Sequence, residues 1–439
     1  MILHDSEMLS LSEMQLLQST RLRDTVQKVF QHVPFYRQKI SNLTITPSDI
    51  QTIDDIQKLP FTTKKELREN YPFGLFALPR NQITRLHASS GTSGKPTVVA
   101  YSQEDINMWS EITARAISMA GGKKEDILHN AYGYGLFTGG LGLHYGSEKL
   151  GMITVPVSGG NTDRQIQLIQ DFQPTVICGT PSYVLNIADR MIDVGINPQE
   201  TSLQYGIFGA EPWSEEMRKT LENKLAIKAC DIYGLSEVIG PGVAMECHEA
   251  QDGLHVAEDH FYVEVIDPKT LEILPEGEVG ELVFTSLTKQ AMPIIRYRTG
   301  DIASIKRETC TCGRTTTKMS RVKGRVDDML IIRGVNIFPS EIEHTLLQIK
   351  ELAPHYQIYL SRERNLDSVE VQVEMQAHTF LLTDPAKRQV EMKNIAQKVE
   401  YELRSKCFIN VKASVVEPRT IPRSEGKAVR IVDTRFSHA

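Results

Sequence analysis

Apolar and polar residues follow several distinct patterns along this chain. Apolar residues recur at helical spacing between residues 10 and 30, with Leu11, Met14 and Leu22 among them, which predicts one amphipathic helix. From about residue 97, helical segments alternate with short, β-rich apolar runs at 153–157, 175–179, 205–210 and 229–234. Strands that alternate with helices predict parallel α/β layers.

The pattern changes in the second half of the chain. Apolar and polar residues alternate singly at 260–267 and 277–287, which favours antiparallel strands. After about residue 326 the order becomes strand, helix, strand, helix, strand, as in a compact α+β unit. The fold class is therefore α/β. We expect a large N-terminal domain with parallel and antiparallel sheets (1–325) and a small C-terminal α+β domain (326–439), since 439 residues exceed one hydrophobic core.

Composition and charge narrow the range of partners. The chain has 49 basic and 55 acidic residues, and a net charge of −6 favours small molecules over nucleic acid. The N-terminus lacks the basic-then-apolar order of a signal peptide, and no apolar run approaches the roughly 18 residues that span a bilayer. We expect a cytoplasmic protein that binds no membrane.

The cysteines suggest a metal more than disulfides. Six cysteines are too few and too scattered in this length for a disulfide framework. Cys247, His255, Cys310 and Cys312 have the composition of a structural zinc site, with buried free thiols as the alternative. His248 could replace His255 as the ligand. The remaining three cysteines, at 178, 230 and 407, are expected to be small core residues.

A short polar run raises the question of phosphate binding. It consists of Ser89, Ser90, Gly91, Thr92, Ser93, Gly94 and Lys95. Glycines let backbone amides approach an anion, hydroxyls donate hydrogen bonds, and lysine adds a positive charge. The GxxxxGK[ST] phosphate loop is excluded, since only two residues separate Gly91 from Gly94 and Pro96 follows Lys95. Taken alone, the run is either a phosphate cradle or a flexible turn.

Further motifs accompany this run in a fixed order. They are AYGYGLFTGGLGLHYG (131–146), GAEPW (209–213), IYGLSE (232–237), YRTGD (297–301), GRVDDMLIIRG (324–334) and PRSEGKAVRI (422–431). At these positions the chain resembles the adenylate-forming superfamily of acyl-CoA synthetases, luciferases and peptide-synthetase adenylation domains. Within this superfamily, the sequences of the motifs are similar to those of the phenylacetate-CoA ligase family, and the similarity extends from about residue 5 to 435.

The resemblance implies an ATP site with Mg²⁺. The polar run with Lys95 would then cradle the β- and γ-phosphates, Asp301 would bind both ribose hydroxyls, and Glu237 would be a magnesium ligand. Tyr233 would lie against the adenine and Ser236 beside the α-phosphate. The other residues assigned to the nucleotide are Gly209, Ala210, Glu211, Pro212, Asp231, Gly234 and Arg325.

Each assignment has a plainer alternative. Glu237 could be a solvated acid at a helix start, and Thr299 to Asp301 could form an ordinary turn. GAEPW could be a strand-to-helix turn with Pro212 in the first helical turn.

The C-terminal motifs imply a mobile domain. Asp327 corresponds to the family's hinge, and Lys427 corresponds to its catalytic lysine, a cation directed at charge that develops during adenylation. The alternatives are a loop acid and a solvated tail lysine.

The aromatic and glycine-rich stretch 131–146 suits the wall of a flat apolar pocket. Tyr132, Tyr134 and Phe137 are the pocket candidates, with ordinary core aromatics as the alternative. His144 could gate the pocket or cap a turn.

Together, the resemblance implies an AMP-forming ligase that activates an aryl acetate with ATP and passes the acyl group to CoA. Two alternatives stay open: transfer to a carrier protein or another acceptor, and a non-catalytic nucleotide-binding regulator. Intact Lys95, Glu237, Asp301 and Lys427 disfavour the regulator. The sequence leaves open which aryl acid is used and the oligomeric state, a homodimer included.

Overall fold

The computed structural model describes residues 1–89, 96–326, 330–332, 335–363, 366–407 and 409–435. The helices found in this part of the chain are α1 (Leu11–His32), α2 (Pro34–Asn42), α3 (Lys64–Glu69), α4 (Gln103–Met119), α5 (Thr138–Leu150), α6 (Thr162–Phe172), α7 (Pro181–Asp193), α8 (Glu215–Leu225), α9 (Pro339–Leu347), α10 (Ala377–Leu382) and α11 (Arg388–Cys407). None of the helices in these described ranges combines the length and the apolar character needed to cross a bilayer.

The strands in the described ranges are β1 (Arg85–Ser89), β2 (Thr97–Tyr101), β3 (Ile127–Asn130), β4 (Ile153–Val155), β5 (Val176–Gly179), β6 (Tyr205–Gly209), β7 (Lys228–Leu235), β8 (Gly240–Glu246), β9 (Leu254–Val256), β10 (Phe261–Ile266), β11 (Gly280–Ser286), β12 (Tyr297–Ala303), β13 (Ile305–Lys306), β14 (Lys318–Met319), β15 (Gly324–Arg325), β16 (Leu330–Ile332), β17 (Val335–Ile337), β18 (Leu352–Glu363), β19 (Leu366–Met375), β20 (Lys412–Val416) and β21 (Ile431–Asp433).

The chain divides into two compact units. The first comprises Met1–Gly179, Glu200–Ala210 and Ile227–Arg321, and the second comprises Thr180–Gln199, Glu211–Ala226 and Val322–Ala439. The fold class predicted from the sequence is confirmed: the structure is mixed α/β with parallel and antiparallel strands. The predicted domain boundary at residues 325 and 326 remains a prediction.

A nine-stranded mixed sheet forms the centre of the first unit, in the order β13-β14-β9-β8-β7-β6-β5-β3-β4. The four apolar runs predicted from the sequence are β4, β5, β6 and β7, and neighbouring strands from β4 to β7 are parallel. From β7 to β8 and onward the pairing is antiparallel. The carboxyl ends of parallel strands meet at one sheet edge, where α/β proteins bind ligands.

A second sheet pairs β10, β11 and β12 antiparallel, as the alternation at 260–267 and 277–287 predicts. The N-terminal helix predicted over residues 10–30 is α1. Its start is set by a capping box, in which the backbone amide of Ser10 donates to the Glu13 carboxylate at 2.9 Å and the Glu13 amide donates to the Ser10 hydroxyl at 3.4 Å.

Helices α4 and α5 pack closely against each other and β8 because α5 has little side-chain bulk. A Cβ at Gly142 of α5 would lie 2.6 Å from the buried ring of Trp109 on α4. The indole nitrogen of Trp109 in turn donates to the carbonyl of Pro241 in β8, at 2.9 Å. A larger residue at position 142, inside the motif 131–146, would push these elements apart.

The C-terminal part of the second unit is an α+β layer. Its sheet has the order β20-β19-β18-β21, with β18 and β19 antiparallel and the two outer strands parallel to their neighbours. The core is made of apolar side chains of this sheet with those of α9 and α11, including Ile358, Val371, Ile342 and Val399, all fully buried. The elements that the sequence predicts after residue 326 are present as β16, α9, β18 with β19, α11 and β20, whereas β17, α10 and β21 were not predicted.

Candidate active site

The strand β7 and the turn after it carry Asp231, Tyr233, Gly234 and Ser236 of the predicted nucleotide residues. The register between β7 and β8 shifts between Tyr233 and Gly234, a bulge of the kind that redirects side chains near active sites. Next to β7, β6 ends at Gly209, where an added Cβ would lie 2.1 Å from the carbonyl oxygen of Ile232. Only glycine allows these two strands to approach so closely, and Ala210 follows with a left-handed φ of 69°.

Tyr233 and Asp301 form the best-defined contact of the site. The Tyr233 hydroxyl donates to the Asp301 carboxylate at 2.7 Å, although the residues lie on different sheets, in β7 and β12. The Tyr233 ring stacks on Phe284 of β11, with ring centroids 5.9 Å apart. The structure therefore brings together the two residues assigned to adenine and ribose. Residues 299–301 lie within β12, so the alternative of an ordinary turn is wrong.

Glu237 lies in the turn between β7 and β8 and is only 6% exposed, so the alternative of a solvated acid at a helix start is wrong. Its neighbour Ser236 has its hydroxyl 3.1 Å from that of Thr138, the first residue of α5. The buried carboxylate of Glu237 is the kind of hard oxygen donor that suits Mg²⁺. Thr138 was missed from the sequence, although it lies inside the motif 131–146.

The sequence motifs did not single out Lys289, a buried lysine that contacts the residue after Glu237. Lys289 is 1% exposed, and its ammonium donates to the carbonyl of Val238 at 3.0 Å and lies 4.7 Å from the ring centroid of Tyr101. Burial lowers the pKa of Lys289 to about 8, opposed by the negative charges of Asp105 and Glu237. The sequence carried no signal for it, since nothing in SLTKQ resembles a motif.

Asp231 of β7 contacts the neighbouring strand β8 and Arg321, which follows β14. Its backbone amide donates to the carboxylate of Glu246 on β8 at 2.8 Å, and its own carboxylate lies 3.8 Å from the guanidinium of Arg321. Arg321 is also 3.7 Å from Glu246. The side chain of Asp231 is therefore part of a charged network, a role that the motif alone did not indicate.

The pocket candidates lie around the start of α5. Tyr132 is buried, Tyr134 is half-buried and Phe137 is 37% exposed. The side-chain amide of Asn130 donates to the Tyr134 hydroxyl at 2.9 Å, and that hydroxyl lies 3.2 Å from Nδ1 of His144. Burial raises the pKa of Tyr134. His144 lies inside α5, so it caps no turn.

The predicted phosphate loop starts from a hairpin. Ser89 at the end of β1 pairs with Thr97 at the start of β2. Ser90, Gly91, Thr92, Ser93, Gly94 and Lys95, between these strands, lie outside the described residues. The hinge candidate Asp327 also lies outside them.

The remaining predicted residues lie in the second unit. Glu211 and Pro212 precede α8, which begins at Glu215 with Ser214 as its N-cap. Pro212 therefore stands before the helix, and the alternative that puts it in the first helical turn is wrong. Arg325 is half-buried in β15, and Lys427 is exposed in the segment between β20 and β21.

The cysteine and histidine cluster predicted from the sequence is present in the first unit. The possible ligand atoms of Cys247, His255, Cys310 and Cys312 all lie within 4.8 Å of one another. His248 is outside this cluster, with its Nδ1 3.1 Å from the carbonyl oxygen of Met119. The structure thus selects His255 between the two histidines.

The spacing of the cluster fits a tetrahedral metal. Two thiolates bound at about 2.3 Å in a tetrahedron lie about 3.8 Å apart, and a thiolate and an imidazole lie about 3.5 Å apart. The Sγ atoms of Cys247 and Cys310 are 3.7 Å apart, and Sγ of Cys312 is 3.5 Å from Nε2 of His255. Nδ1 of His255 lies 3.0 Å from the Thr316 hydroxyl, the outer contact that orients a metal-binding imidazole.

Two family models match this chain. The family described as "AMP-binding enzyme" matches residues 14–289, and "AMP-binding enzyme C-terminal domain" matches residues 334–435. The fold and the site thus define an AMP-binding enzyme.

Relatives extend over nearly the whole chain. The phenylacetate-coenzyme A ligase of Pseudomonas putida is 49% identical over 436 residues, which cover 99% of this chain and 98% of that protein. The phenylacetate-coenzyme A ligase of Escherichia coli is 49% identical over 430 residues, covering 98% and 97%. The chain belongs to the phenylacetate-coenzyme A ligase family.

A solved structure of a related ligase has the same fold. 2-Hydroxyisobutyryl-CoA ligase in its postadenylation state is similar with a TM-score of 0.92 at 26% identity, covering 99% of this chain and 92% of that one. The same ligase with CoA in its thioesterification state gives a TM-score of 0.72 at 27% identity, covering 98% and 92%.

Proposed function

We propose that this protein is an AMP-forming ligase that joins phenylacetate to coenzyme A at the expense of ATP. The observation that carries this proposal is the 49% identity over 99% of the chain to a phenylacetate-coenzyme A ligase. The hydrogen bond between Tyr233 and Asp301 supports it, because it assembles an aromatic surface and a carboxylate suited to a nucleoside.

The first half-reaction forms an acyl-adenylate. A carboxylate oxygen of phenylacetate attacks the α-phosphorus of ATP, the bond from that phosphorus to the bridging oxygen breaks, and pyrophosphate leaves. Asp301 binds the ribose hydroxyls, Tyr233 lies against the adenine, and Ser236 lies beside the α-phosphate. Lys95 and Lys427 supply positive charge to the phosphates and to the oxygens that become more negative in the transition state.

Glu237 would hold Mg²⁺, which when bound screens the charge of the triphosphate. The hydroxyls of Ser236 and Thr138, 3.1 Å apart, add oxygen donors to this end of the site. Lys289 keeps a positive charge beside Glu237 at neutral pH, since burial lowers its pKa only to about 8.

The second half-reaction transfers the acyl group. The sulfur of CoA attacks the acyl carbon, the bond to the AMP oxygen breaks, and the thiol proton goes to solvent. No protein side chain forms a covalent intermediate, which agrees with cysteines lying outside the predicted nucleotide residues. The solved states of the related 2-hydroxyisobutyryl-CoA ligase, named postadenylation and thioesterification, support a two-step course. Asp327 remains the proposed hinge between the two steps.

We also propose that Cys247, His255, Cys310 and Cys312 bind one structural Zn²⁺. The tetrahedral spacing of their ligand atoms supports this. The loop after Cys312 contacts the N-terminal segment, where Arg314 donates to the Glu7 carboxylate at 2.8 Å and the Thr315 amide donates to the Glu7 carbonyl at 3.1 Å. A metal at the cluster would fix this loop and the end of β8 together.

The test of the function is product formation from a panel of acids. With ATP, Mg²⁺ and CoA, phenylacetate should give AMP, pyrophosphate and phenylacetyl-CoA, with kcat/KM above that of alkyl acids. Without CoA, pyrophosphate release should stop after about one turnover because the acyl-adenylate stays bound. Thioester formation with no preference for aryl acetates would contradict the assignment of phenylacetate as the substrate. Product formation that does not need CoA would contradict the assignment of CoA as the acyl acceptor. The cytoplasmic location remains a prediction.

A further inference from the structure

The segment that carries Lys427 is held by several hydrogen bonds within the second unit. The hydroxyl of Ser424 donates to the carbonyl of Lys427 at 2.7 Å and accepts from the amide of Gly426 at 3.2 Å, which closes residues 424–427 into a turn. Immediately afterwards, the amide of Ile358 on β18 donates to the carbonyl of Arg430 at 2.7 Å. The backbone around Lys427 therefore has a defined path although its side chain is exposed.

One carboxylate outside this segment joins it to a helix of the same unit. Oε2 of Glu211 accepts from the backbone amide of Ala428, the residue after Lys427, at 2.8 Å. Oε1 of the same carboxylate accepts from the amide of Ser182 at 2.9 Å. Ser182 is the second residue of α7, whose first amides have no partner within the helix and favour a negative charge.

A second contact lies beside this carboxylate. The hydroxyl of Thr180, the N-cap of α7, donates to the carbonyl of Gly426 at 2.9 Å. The N-terminus of α7 and Glu211 thus contact the residues on both sides of Lys427, one at a carbonyl and one at an amide. Both contacts are made to the main chain, so they fix the backbone from which the Lys427 side chain extends.

We propose that Glu211 is a positioning residue for Lys427 in the adenylation step: its carboxylate fixes the Lys427 backbone through the amide of Ala428. The proposal rests on the proposed function, in which Lys427 acts on the first half-reaction. Small displacements of a catalytic cation strongly lower the rate of the chemical step, because the cation must already lie opposite the negative charge that develops in the transition state. GAEPW was assigned to the nucleotide, and the side-chain carboxylate of Glu211 adds a separate role.

The experiment compares Glu211→Gln with Glu417→Gln, which removes the same charge from an exposed position of the same unit. Glu211→Gln should lower kcat for adenylation by about tenfold, the effect of losing a hydrogen bond to a charged group. The KM for ATP should stay within about twofold, and thioester formation from supplied phenylacetyl-adenylate and CoA should be unchanged. Glu417→Gln should behave as the wild type. A raised KM for ATP with unchanged kcat would overturn the proposal in favour of a nucleotide contact.

A double-mutant cycle with Lys427→Ala gives the sharper result. If Glu211 acts through Lys427, adding Glu211→Gln to Lys427→Ala should change the remaining adenylation rate less than about twofold. A further tenfold loss in that background would overturn the proposal.

Hydrogen exchange tests the contact without relying on activity. The amide of Ala428 should exchange at least about tenfold faster in Glu211→Leu than in the wild type and Glu417→Leu, because leucine has no oxygen to accept the hydrogen bond that protects this amide. Equal exchange in all three proteins would overturn the proposal. This result is independent of the acceptor: a wild type that forms acyl-adenylate without using CoA contradicts the proposed function, whereas the exchange and the cycle still decide the role of Glu211.

Discussion

The hydroxyl of Tyr233 donates a 2.7 Å hydrogen bond to the carboxylate of Asp301, across two sheets of the first unit. Tyr233 lies on β7 of the nine-stranded sheet and Asp301 on β12 of the other. Asp301 is 9% exposed and accepts this bond at one oxygen. The contact orients the carboxylate assigned to the ribose, and it places the tyrosine ring assigned to the adenine beside it.

Replacement of Tyr233 by phenylalanine should therefore weaken ATP binding while leaving the stacked ring. The lost hydrogen bond to a charged group is worth about 1.5–3 kcal/mol, so the KM for ATP should rise at least about tenfold, with a smaller change in kcat. ATP–pyrophosphate exchange measures both constants. Tyr401→Phe, at a position 68% exposed on α11, is the matched control. An unchanged KM would show that Asp301 does not depend on Tyr233.

Lys427→Ala should separate the two half-reactions. Adenylation, followed as pyrophosphate release, should fall by about a hundredfold or more, the typical effect of removing one charge-stabilising group from a transition state. Thioester formation from supplied phenylacetyl-adenylate should persist, because the lysine is needed only while pyrophosphate leaves. Equal losses in both assays would contradict this role.

Asp327→Pro tests the hinge. Proline holds φ near −65° and should restrict rotation of the C-terminal domain. Acyl-adenylate should then accumulate in the presence of CoA, which quenching and chromatography can detect. Thioester formation at the wild-type rate would contradict the assignment of Asp327.

The metal cluster predicts a defined zinc content. Protein purified without added metal should contain about one zinc per chain by elemental analysis, and Cys312→Ser should lose most of it and unfold at a lower temperature. Cys407→Ser, at a half-buried cysteine of the second unit, should keep its zinc. Zinc binding should weaken as the pH falls, because the ligands must be deprotonated.

Chelation gives the matching functional test. Removal of zinc should lower the melting temperature before it lowers turnover, since a closed four-ligand site leaves no position for substrate. Zinc content near zero in the wild type, with all four side chains intact, would favour ordinary buried thiols.

A buried histidine predicts how stability depends on pH. His129 in β3 is fully buried with Nε2 2.6 Å from Oε1 of Gln165, and burial lowers its pKa to about 4. Between pH 6.5 and 4 the unfolded chain binds a proton that the folded chain does not, so this residue lowers stability as the pH falls. From pH 7 to pH 5 the loss from His129 should be about 2 kcal/mol.

His129→Gln should reduce the loss of stability that occurs between pH 7 and pH 5. Urea unfolding can be followed by the fluorescence of Trp109 in the first unit, in a background with Trp213 of the second unit replaced by phenylalanine. The fall in unfolding free energy between pH 7 and pH 5 should be about 2 kcal/mol smaller in the variant. His32→Gln, on α1, is the control and should match the parent. Identical falls in both proteins would contradict a neutral His129.

Local patterns were enough to predict much of this protein. The spacing of apolar residues predicted α1, the parallel strands β4 to β7 and the antiparallel pair β10 and β11, because side-chain periodicity is a property of the chain itself. The class of chemistry at the motifs around Tyr233 and Glu237 was implied by their resemblance to adenylate-forming enzymes, and the residues alone left plainer alternatives open.

Contacts between distant segments were decided only by the tertiary structure. The choice of His255 over His248, the hydroxyl contact between Thr138 and Ser236, and the burial of Lys289 all depend on which strands pair and on which face each side chain lies. Glu211 illustrates the limit: its motif predicted a nucleotide segment, whereas its carboxylate accepts from the amide of Ala428, 217 positions away. Sequence periodicity specifies the faces of an element, but pairing of distant elements is set by packing of the whole unit.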